Sequence, residues 1–338
     1  MGLYQDVEFM LRRSITASRL KVDQTLKSFK KDLREHSEAA LYHGLNNRVK
    51  YNLCCARILQ GKFNEWDGWQ YRDEWAEAMR YGIQTIPFWD GFYTDSLVII
   101  GEQGIGDEVL FASLIPEAMV RAKEVTYACD ERLVEIIKRS YHCEARPRYI
   151  DARDDLLGGH TAYIPAADLL PLFRRRKADF PKRPYLKVSP ERVKEFEKYR
   201  GRVGVSWRGR HGFIDPSDLG ISNPLSLQYD TMRFDGSEGI EIPDVDLKND
   251  IEGVVALISV LDKVVTVPTS VMHFAGSIGK KCEVIVPEKA TELLADGVVD
   301  ELDYHVTRNE DKSSPFYANQ VIYNNIDEWH RSNNRSKK

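Results

Sequence analysis

Short apolar runs alternate with segments of helical periodicity from about residue 95 onward, and this alternation limits the chain to few folds. The strand-like runs occupy residues 96–101, 124–130, 143–150 and 161–165. Helical patterns fill most of the intervals, as in DEVLFASLIPEAMVRAK at 107–123. Strands separated by helices pair in parallel and are covered by helices on both faces. The sequence therefore predicts an α/β fold.

A second alternating set follows the polar, proline-bearing stretch at 174–184, which is typical of an interdomain linker. Strands are predicted at 202–207, 224–230, 263–268 and 282–287, and helices at 190–201, 249–262, 269–281 and 326–334. Asn249 or Asp250 would cap the helix at 249–262. The pattern predicts two tandem Rossmann-like domains, at 93–183 and 184–338. Ligands bind at the carboxyl ends of such strands, so two facing domains would leave a cleft between them.

Residues 1–92 show apolar residues at helical spacing, with charged residues between them. Leu53, Ala56 and Leu59 precede the motif QGKFNEWDGWQY, which has Gly61 at its turn. This order resembles one helix-turn-helix unit of a tetratricopeptide array. One unit is too short for a repeat domain, so we expect a helical, TPR-like cap on the α/β part.

The composition argues against several classes of protein. The net charge of −4 over 338 residues gives no global field for nucleic acid, and no apolar run approaches the roughly 20 residues of a membrane span. Five cysteines are scattered without a CxxC pair, so neither a disulfide framework nor a zinc site is predicted. We therefore expect a cytoplasmic protein without a secretory signal or a membrane span.

The turn between the first predicted strand and its helix reads GEQGIGD. Gly101, Gly104 and Gly106 would let the backbone take unusual conformations or let a ligand approach closely. Their order is G-x-x-G-x-G, whereas the dinucleotide fingerprint is G-x-G-x-x-G. Asp130, at the end of the next strand, nevertheless keeps a nicotinamide site open. The other alternative is a tight turn in which Asp107 only caps the helix.

A second motif, VTVPTSVMHFAGSIG at 265–279, joins a strand to a helix. Thr269 or Ser270 begins the helix, whose free amide groups and positive dipole end would attract an anion. His273 lies one turn further, on the same face as Thr269. The alternative is an N-capped helix with a buried histidine.

A third motif, GVSWRGRHG at 204–212, places Arg208, Arg210 and His211 after the end of a strand. Guanidinium groups suit phosphate, although a basic surface loop is the alternative. Gln228 ends another strand and offers an amide to a base or a ribose. The three motifs lie at equivalent strand ends, which predicts a nucleotide cleft with an acid on one side and anion-binding groups on the other.

Seven motifs in a fixed order carry a family resemblance. They are FWDG, LVIIGEQGIGDEVLFASLIP, TAYIPAADLLPLF, RPYLKVSP, RVGVSWRGR, LSLQYD and VVALISVLDKVVTVPTSVMHFAGSIGKKCEVIVPE, over about residues 50–290. The order resembles the bacterial tetratricopeptide-linked glycosyltransferases, which are similar to the ADP-heptose heptosyltransferases and, more distantly, to the O-GlcNAc transferases. The resemblance implies a GT-B fold, with an acceptor domain at 93–183 and a nucleotide-sugar donor domain at 184–338.

The same resemblance implies inverting sugar transfer and roles for single residues. Asp107, after Gly104 and Gly106, would be the general base. The residues that would bind the donor lie in the second domain: Arg208, Arg210, Gln228, Thr269, Ser270 and His273. The family has Asp where this chain has Pro268, so the choice of donor sugar stays open.

Three classes of function follow from these observations. The first is a glycosyltransferase that needs no metal or other cofactor, because the cationic groups of the second domain would replace a metal. A metal-dependent enzyme would use a D-x-D pair, but DVD at 244–246 and DARDD at 151–155 are typical of solvated loops. The second class is a non-catalytic GT-B scaffold that binds a nucleotide sugar or a protein partner. The third is an NAD(P)-dependent oxidoreductase.

The acceptor is not fixed by the sequence. A glycan, a protein, a small molecule and a modified DNA base all stay open. For DNA, the basic run RRRK at 174–177 would be the candidate contact, because phosphate contacts need clustered positive charge.

Overall fold

The computed structural model of the protein describes residues 2–12, 19–35, 38–73, 78–80, 85–148, 157–180, 183–210, 212–229, 240–287 and 303–335. The DARDD pair and His211 lie outside the described residues. The helices are α1 (Leu3–Arg12), α2 (Arg19–Glu35), α3 (Glu38–Gly44), α4 (Asn47–Leu59), α5 (Ile105–Ala112), α6 (Ile115–Met119), α7 (Val134–Tyr141), α8 (Leu169–Phe173), α9 (Pro190–Glu195), α10 (Ile251–Val260), α11 (Ser270–Ser277) and α12 (Ile326–Arg335). None of these described helices combines the length and the apolar character of a bilayer-spanning helix.

Four parallel strands form the first sheet: β1 (Thr94–Ile100), β2 (Ala122–Cys129), β3 (Glu144–Pro147) and β4 (Ala162–Pro165). Their order is β3-β2-β1-β4, and Leu97 of β1 pairs with Val125 of β2 and Ala162 of β4. Leu97 and Ile99 enter one buried cluster and Val98 enters another. The central strand is therefore apolar on both faces, as a covered parallel strand must be.

The second sheet follows a polar connection. It contains β5 (Val203–Ser206), β8 (Leu225–Ser226), β9 (Lys263–Thr266), β10 (Cys282–Ile285) and β11 (Gln320–Tyr323). Between β5 and β8 the chain forms a separate short antiparallel hairpin of β6 (Arg208–Gly209) and β7 (Gly212–Phe213). The order is β11-β10-β9-β5-β8, with every pair parallel. The predicted α/β class is confirmed. The strand predicted at 224–230 shortens to two residues, and β11 was not predicted.

Each sheet has a point where the chain changes its direction of winding. In the first sheet, β1 has β2 on one side and β4 on the other, and in the second, β5 lies between β9 and β8. Ligands of open α/β sheets bind beyond the carboxyl ends of the strands at such points. The loops after β1, β5 and β9 therefore occupy the positions where a ligand is expected.

The N-terminal segment packs into the α/β part. The indole of Trp66 donates to the carbonyl of Arg174 at 3.0 Å, and that of Trp69 donates to the carbonyl of Ala167 at 2.9 Å. Gly61 lies in a turn with φ of 76°, as predicted. From there to residue 73, however, the chain forms turns and a short 3-10 helix, not a second long helix. The two tryptophans thus attach the N-terminal segment to the residues that follow β4.

One predicted helix is interrupted. The pattern at 107–123 becomes α5 and α6, because Pro116 in the first turn of α6 lacks the amide group that a continuous helix needs there. β2 then begins at Ala122, earlier than predicted, because Ala122 pairs with Thr94 of β1.

The basic run at 174–177 is only partly exposed. Arg174 is 1% exposed, and its guanidinium pairs with Glu117 at 2.6 Å. Arg176 pairs with Asp179 at 2.8 Å. Two of its four cations therefore have acidic partners within the chain, which leaves less positive charge for a nucleic acid than the sequence alone indicates.

Candidate active site

A cavity of about 950 Å³ lies where the loops after β1, β5 and β9 meet. Its wall includes the residues that the family resemblance assigned to the site: Gly104, Gly106, Asp107, Arg208, Arg210, Gln228, Thr269, Ser270 and His273. Gly101 and Asp130, on which the nicotinamide alternative depended, do not line it. The N-terminal segment adds Tyr51, Arg72 and Asp73 to the wall. Residues far apart in the sequence thus share one crevice between the two sheets.

Asp107 lies in the first turn of α5 and uses both carboxylate oxygens. Its Oδ2 accepts the Gly104 amide at 3.1 Å, so Asp107 closes the first turn of α5. Its Oδ1 lies 2.8 Å from Nε2 of His305 and 3.5 Å from the hydroxyl of Tyr304. Because a carboxylate can only accept, both neighbours donate to it. The Asp107 side chain remains 19% exposed to the cavity.

The electrostatic surroundings favour the ionised form of Asp107. Burial alone would raise the pKa of this carboxyl. The charge and hydrogen bond of His305, with smaller contributions from His273 and the Gly104 amide, outweigh that effect and lower the pKa. Asp107 is therefore a carboxylate at neutral pH.

The sequence patterns did not predict that the segment around His305 belongs to the site. Asp303 begins a short 3-10 helix at Tyr304–Val306, and its carboxylate accepts the His305 amide at 2.9 Å. The ring of Tyr304 lies edge-on to Trp69, with ring centres 5.1 Å apart. The sequence ELDYHVT has neither helical nor strand periodicity, so no pattern marked it as part of the site.

His273 is buried and uncharged. It is 5% exposed, its Nδ1 lies 2.7 Å from the hydroxyl of Tyr317, and its ring meets His305 edge-on at 4.8 Å. Burial, together with the nearby His305, lowers the pKa of His273 to about 3. The buried-histidine alternative is thus realised. His273 can give an anion a hydrogen bond but no positive charge.

The two helix starts at the cavity approach each other closely. A Cβ placed on Gly106 of α5 would lie 2.8 Å from Cδ2 of His273 and 3.1 Å from the Cα of Ser270 on α11. The first of these contacts is shorter than packed carbon atoms allow, and the second is tighter than most contacts of a Cβ atom. Gly106 is therefore the residue that permits α5 and α11 to pack directly.

We expect the Gly106→Ala substitution to reduce the free energy of unfolding by about 1 kcal/mol or more. Overpacking costs roughly 1–3 kcal/mol, and the helix propensity of alanine returns at most about 1 kcal/mol. Urea unfolding followed by tryptophan fluorescence measures the change. The matched control is Gly44→Ala, because a Cβ there meets no atom within 4 Å and should leave the stability unchanged or slightly higher. Equal stability for Gly106→Ala and the wild type would contradict the packing argument.

The start of α11 is partly capped by its own side chain. Thr269 Oγ1 accepts the Val271 amide at 3.3 Å and lies 3.2 Å from the hydroxyl of Thr266. Within the described part of the chain, no residue bonds the amide or the hydroxyl of Ser270. The groups that this helix start can offer to an anion therefore include the amide and the hydroxyl of Ser270.

The loop after β5 carries the positive charge of the cavity. The Arg208 side chain is exposed and forms no ion pair with any residue that the structure describes. Arg210 lines the same wall and is exposed as well. The Oε1 atom of Gln228 accepts the Arg208 amide at 3.0 Å and the hydroxyl of Ser206 at 3.2 Å. Gln228 therefore braces this loop, which leaves only its amide nitrogen for the base or ribose contact that the sequence suggested.

A buried cation lies behind the glycine turn and was not predicted. Arg72 donates to both carboxylate oxygens of Glu102, at 2.6 and 2.7 Å, and to Asp168 at 3.1 Å. Arg80 also pairs with Asp168, at 2.9 Å. The Arg72 side chain is completely buried. This cluster ties the N-terminal segment to the turn that carries Asp107.

A second arginine braces the same turn. Arg148, just after β3, donates to the carbonyls of Gly101 and Gln103 at 3.1 and 3.0 Å. Gln103 has a φ of 60°, which is uncommon for a residue with a side chain. Such a conformation persists where the surroundings fix it, and Arg148 supplies part of that constraint.

The described residues contain no group of three or more histidine, cysteine or acidic side chains arranged to hold a metal ion. Within the DVD motif, Asp244 and Asp246 are exposed. Asp246 accepts the amides of Lys248 and Asn249 in a turn, at 2.9 and 3.0 Å. These acids do not line the cavity.

Known proteins resemble this chain only distantly. No protein-family model matches it. Protein FlbA of Caulobacter vibrioides is 27% identical over 278 residues, which cover 69% of this chain and 46% of FlbA, so the chain spans less than half of that relative. The glycosyl transferase family 9 structure from Veillonella parvula shares 10% identity, with 74% of this chain and 91% of that chain covered and a TM-score of 0.46. The ADP-heptose lps heptosyltransferase II of E. coli shares 13% identity, with coverages of 68% and 89% and a TM-score of 0.44. At these values the likeness does not establish an activity for this chain.

Proposed function

We propose that the protein is a glycosyltransferase of the GT-B type that moves a sugar from a nucleotide-diphosphate donor to an acceptor hydroxyl. One observation carries the proposal. A single cavity brings a carboxylate on the turn after β1 opposite a helix start and two arginines on the second sheet. The order of the motifs along the chain, which resembles the tetratricopeptide-linked glycosyltransferases, supports the same reading.

The donor diphosphate would lie on the side of the second sheet. Arg208 and Arg210 supply positive charge there, and Ser270 offers its amide and hydroxyl at the start of α11. Groups fixed in advance around a leaving group stabilise the charge that develops on it, which is often the largest contribution to catalysis. These residues would take the place of a metal ion, so we propose transfer without one.

The acceptor would lie on the side of Asp107. The acceptor oxygen forms a bond to the anomeric carbon while its proton passes to the Asp107 carboxylate. The bond from the anomeric carbon to the diphosphate oxygen breaks, and its electron pair stays on the diphosphate. Attack from the side opposite the leaving group inverts the anomeric centre. Because Asp107 has a low pKa, its contribution must come from its placement and not from its strength as a base.

A panel of ADP, UDP, GDP and dTDP sugars, with NAD(H) and NADP(H) as a separate arm, tests the proposal. A donor at about 100 times its Kd should add about 2.7 kcal/mol to the free energy of unfolding, which thermal melting detects. Slow release of the nucleoside diphosphate should accompany binding. Arg208→Ala should weaken that binding by tenfold or more, as loss of a charge-assisted hydrogen bond of about 1.5–3 kcal/mol implies.

The control for Arg208→Ala is Arg200→Ala, since Arg200 pairs with Glu197 away from the cavity. It should bind the donor like the wild type. Stabilisation by NAD(P) alone would reject the proposal in favour of an oxidoreductase. Binding without nucleotide release from any donor would favour a non-catalytic scaffold. The capping role of Asp107 is the observation that fits that alternative.

A further inference from the structure

We infer that His305 positions Asp107 for sugar transfer, an inference that rests on the proposed function. Its Nε2 donates to Oδ1 of Asp107 at 2.8 Å, while the Gly104 amide holds Oδ2. The two contacts fix the carboxylate from both sides. The exposed part of the side chain then faces the cavity in one orientation, where an acceptor hydroxyl would meet it.

His305 is itself firmly held. The Asp303 carboxylate accepts its amide, and the Tyr304 hydroxyl packs beside it toward Asp107. The ring of Tyr304 is buried against Trp69 and Phe316, with ring centres 5.1 and 6.3 Å away. The N-terminal segment and the C-terminal part of the chain thus meet behind the histidine that contacts Asp107. His305, which also lines the cavity, can thus hold the Asp107 carboxylate in place.

The groups that face Asp107 come from every element around it. His305 and Tyr304 approach from the 3-10 helix and His273 from α11, with Tyr317 behind His273. On the side of the glycine turn and α5 lie two acids: Glu108, whose pKa the charge of Asp107 helps to raise, and Glu102, whose charge acts on Tyr304. Arg72 neutralises Glu102, and Arg148 pairs with Glu108 at 2.8 Å.

His273 is neutral, so the contact with His305 is the main interaction that opposes the effect of burial on Asp107. Without His305, burial would favour the protonated carboxyl. A protonated carboxyl cannot accept the proton of an acceptor hydroxyl. The histidine therefore has two consequences for the same carboxylate: it sets the orientation, and it lowers the pKa.

Two variants of His305 distinguish the effect of losing its hydrogen bond to Asp107 from the effect of losing the volume of its ring. His305→Leu removes the donor, whereas His305→Gln keeps an N–H near the position of Nε2. We expect His305→Leu to lower kcat by about tenfold or more. This loss would be part of the roughly 10²–10⁴-fold contribution that a positioned base makes to the rate. The Kd for the donor should stay within about twofold of the wild-type value. His305→Gln should recover most of the loss. The matched control is His330→Gln, on α12 outside the cavity, which should behave as the wild type.

A double-mutant cycle gives the kinetic test. If His305 acts through Asp107, adding His305→Leu to Asp107→Asn should lower kcat no further. The acidic limb of the pH profile should also move to higher pH in His305→Leu, because kcat falls as Asp107 takes up its proton. An additive loss in the double variant, or a raised KM with an unchanged kcat, would overturn the inference.

A readout without turnover separates this inference from the proposed function. In protein labelled with carbon-13 at the aspartate carboxyls, the Asp107 signal is identified by its absence from Asp107→Asn. Its titration should move to higher pH in His305→Leu and by a smaller amount in His305→Gln, which keeps the hydrogen bond but not the charge. If it moves while the wild type transfers no sugar, His305 controls Asp107 and only the proposed function fails. If it does not move, the inference fails whatever the activity.

Discussion

Turnover should fall by at least about a hundredfold when Asp107 is replaced by Asn, while the affinity for the donor stays within about twofold. The amide is isosteric and its oxygen can still accept the Gly104 amide, so the helix cap survives. In the proposed mechanism the substitution removes the ability to take the acceptor proton, and a positioned base contributes roughly 10²–10⁴-fold. Steady-state kinetics with the donor found in the panel, together with its Kd, measures both quantities.

The control for this substitution is Asp246→Asn. Asp246 is an exposed aspartate whose carboxylate closes a turn outside the cavity, and an amide oxygen can accept the same bonds. Its turnover should equal that of the wild type. Wild-type turnover in Asp107→Asn would remove Asp107 from the mechanism, and a large rise in the donor Kd would make it a binding residue instead.

The sequence was sufficient for most strands of the two sheets, although it predicted neither β11 nor the short hairpin of β6 and β7. Short, β-branched apolar runs such as SLVIIG favour a strand covered on both faces, and Asp250 and Thr269 cap their helices as predicted. Because parallel strands share one polarity, the turns after β1, β5 and β9 had to open at corresponding edges. The sequence could therefore indicate which edge of each sheet carries the site residues, whereas the structure shows that the two edges meet at one cavity.

The sequence was not sufficient for contacts made by irregular segments. His305 lies 198 positions after Asp107, on a one-turn helix without periodicity, and its place depends on how Tyr304 packs on Trp69. The charge state of His273 also depends on burial, which a pattern of residue types does not give. Sequence patterns predict elements, whereas these properties come from packing between elements that are distant in the chain.

The N-terminal segment illustrates the same limit. Its helical periodicity predicted a cap, but the chain places Tyr51, Arg72 and Asp73 on the cavity wall. Arg72 reaches the Glu102 carboxylate, two residues before Gly104. The geometry of the glycine turn is therefore coupled to a segment that the sequence had set apart from the site.

Because Arg72 joins these two segments, its substitution should cause a large loss of stability. Arg72→Met should lower the free energy of unfolding by about 3–5 kcal/mol, because it leaves buried carboxylates without their main partner. Glu102 is 1% exposed and would keep only the Ala167 amide, whereas Asp168 would keep Arg80. Urea unfolding followed by tryptophan fluorescence measures the loss. Arg12→Met, at an exposed ion pair with Glu8, is the matched control and should leave the stability unchanged.

The loss in Arg72→Met should also depend on pH, with a definite sign. Burial raises the pKa of Glu102 even beside Arg72, and without the arginine it would rise further. The folded variant then binds a proton between the unfolded pKa of about 4.3 and its own higher pKa, so stability falls as pH rises through that window. The difference from wild type should therefore be larger at pH 8 than at pH 5. Adding Glu102→Gln should recover part of the loss at pH 8, because it removes the unpaired charge. A loss below about 1 kcal/mol, or one equal at both pH values, would mean that Arg72 does not hold the turn through a buried charge pair.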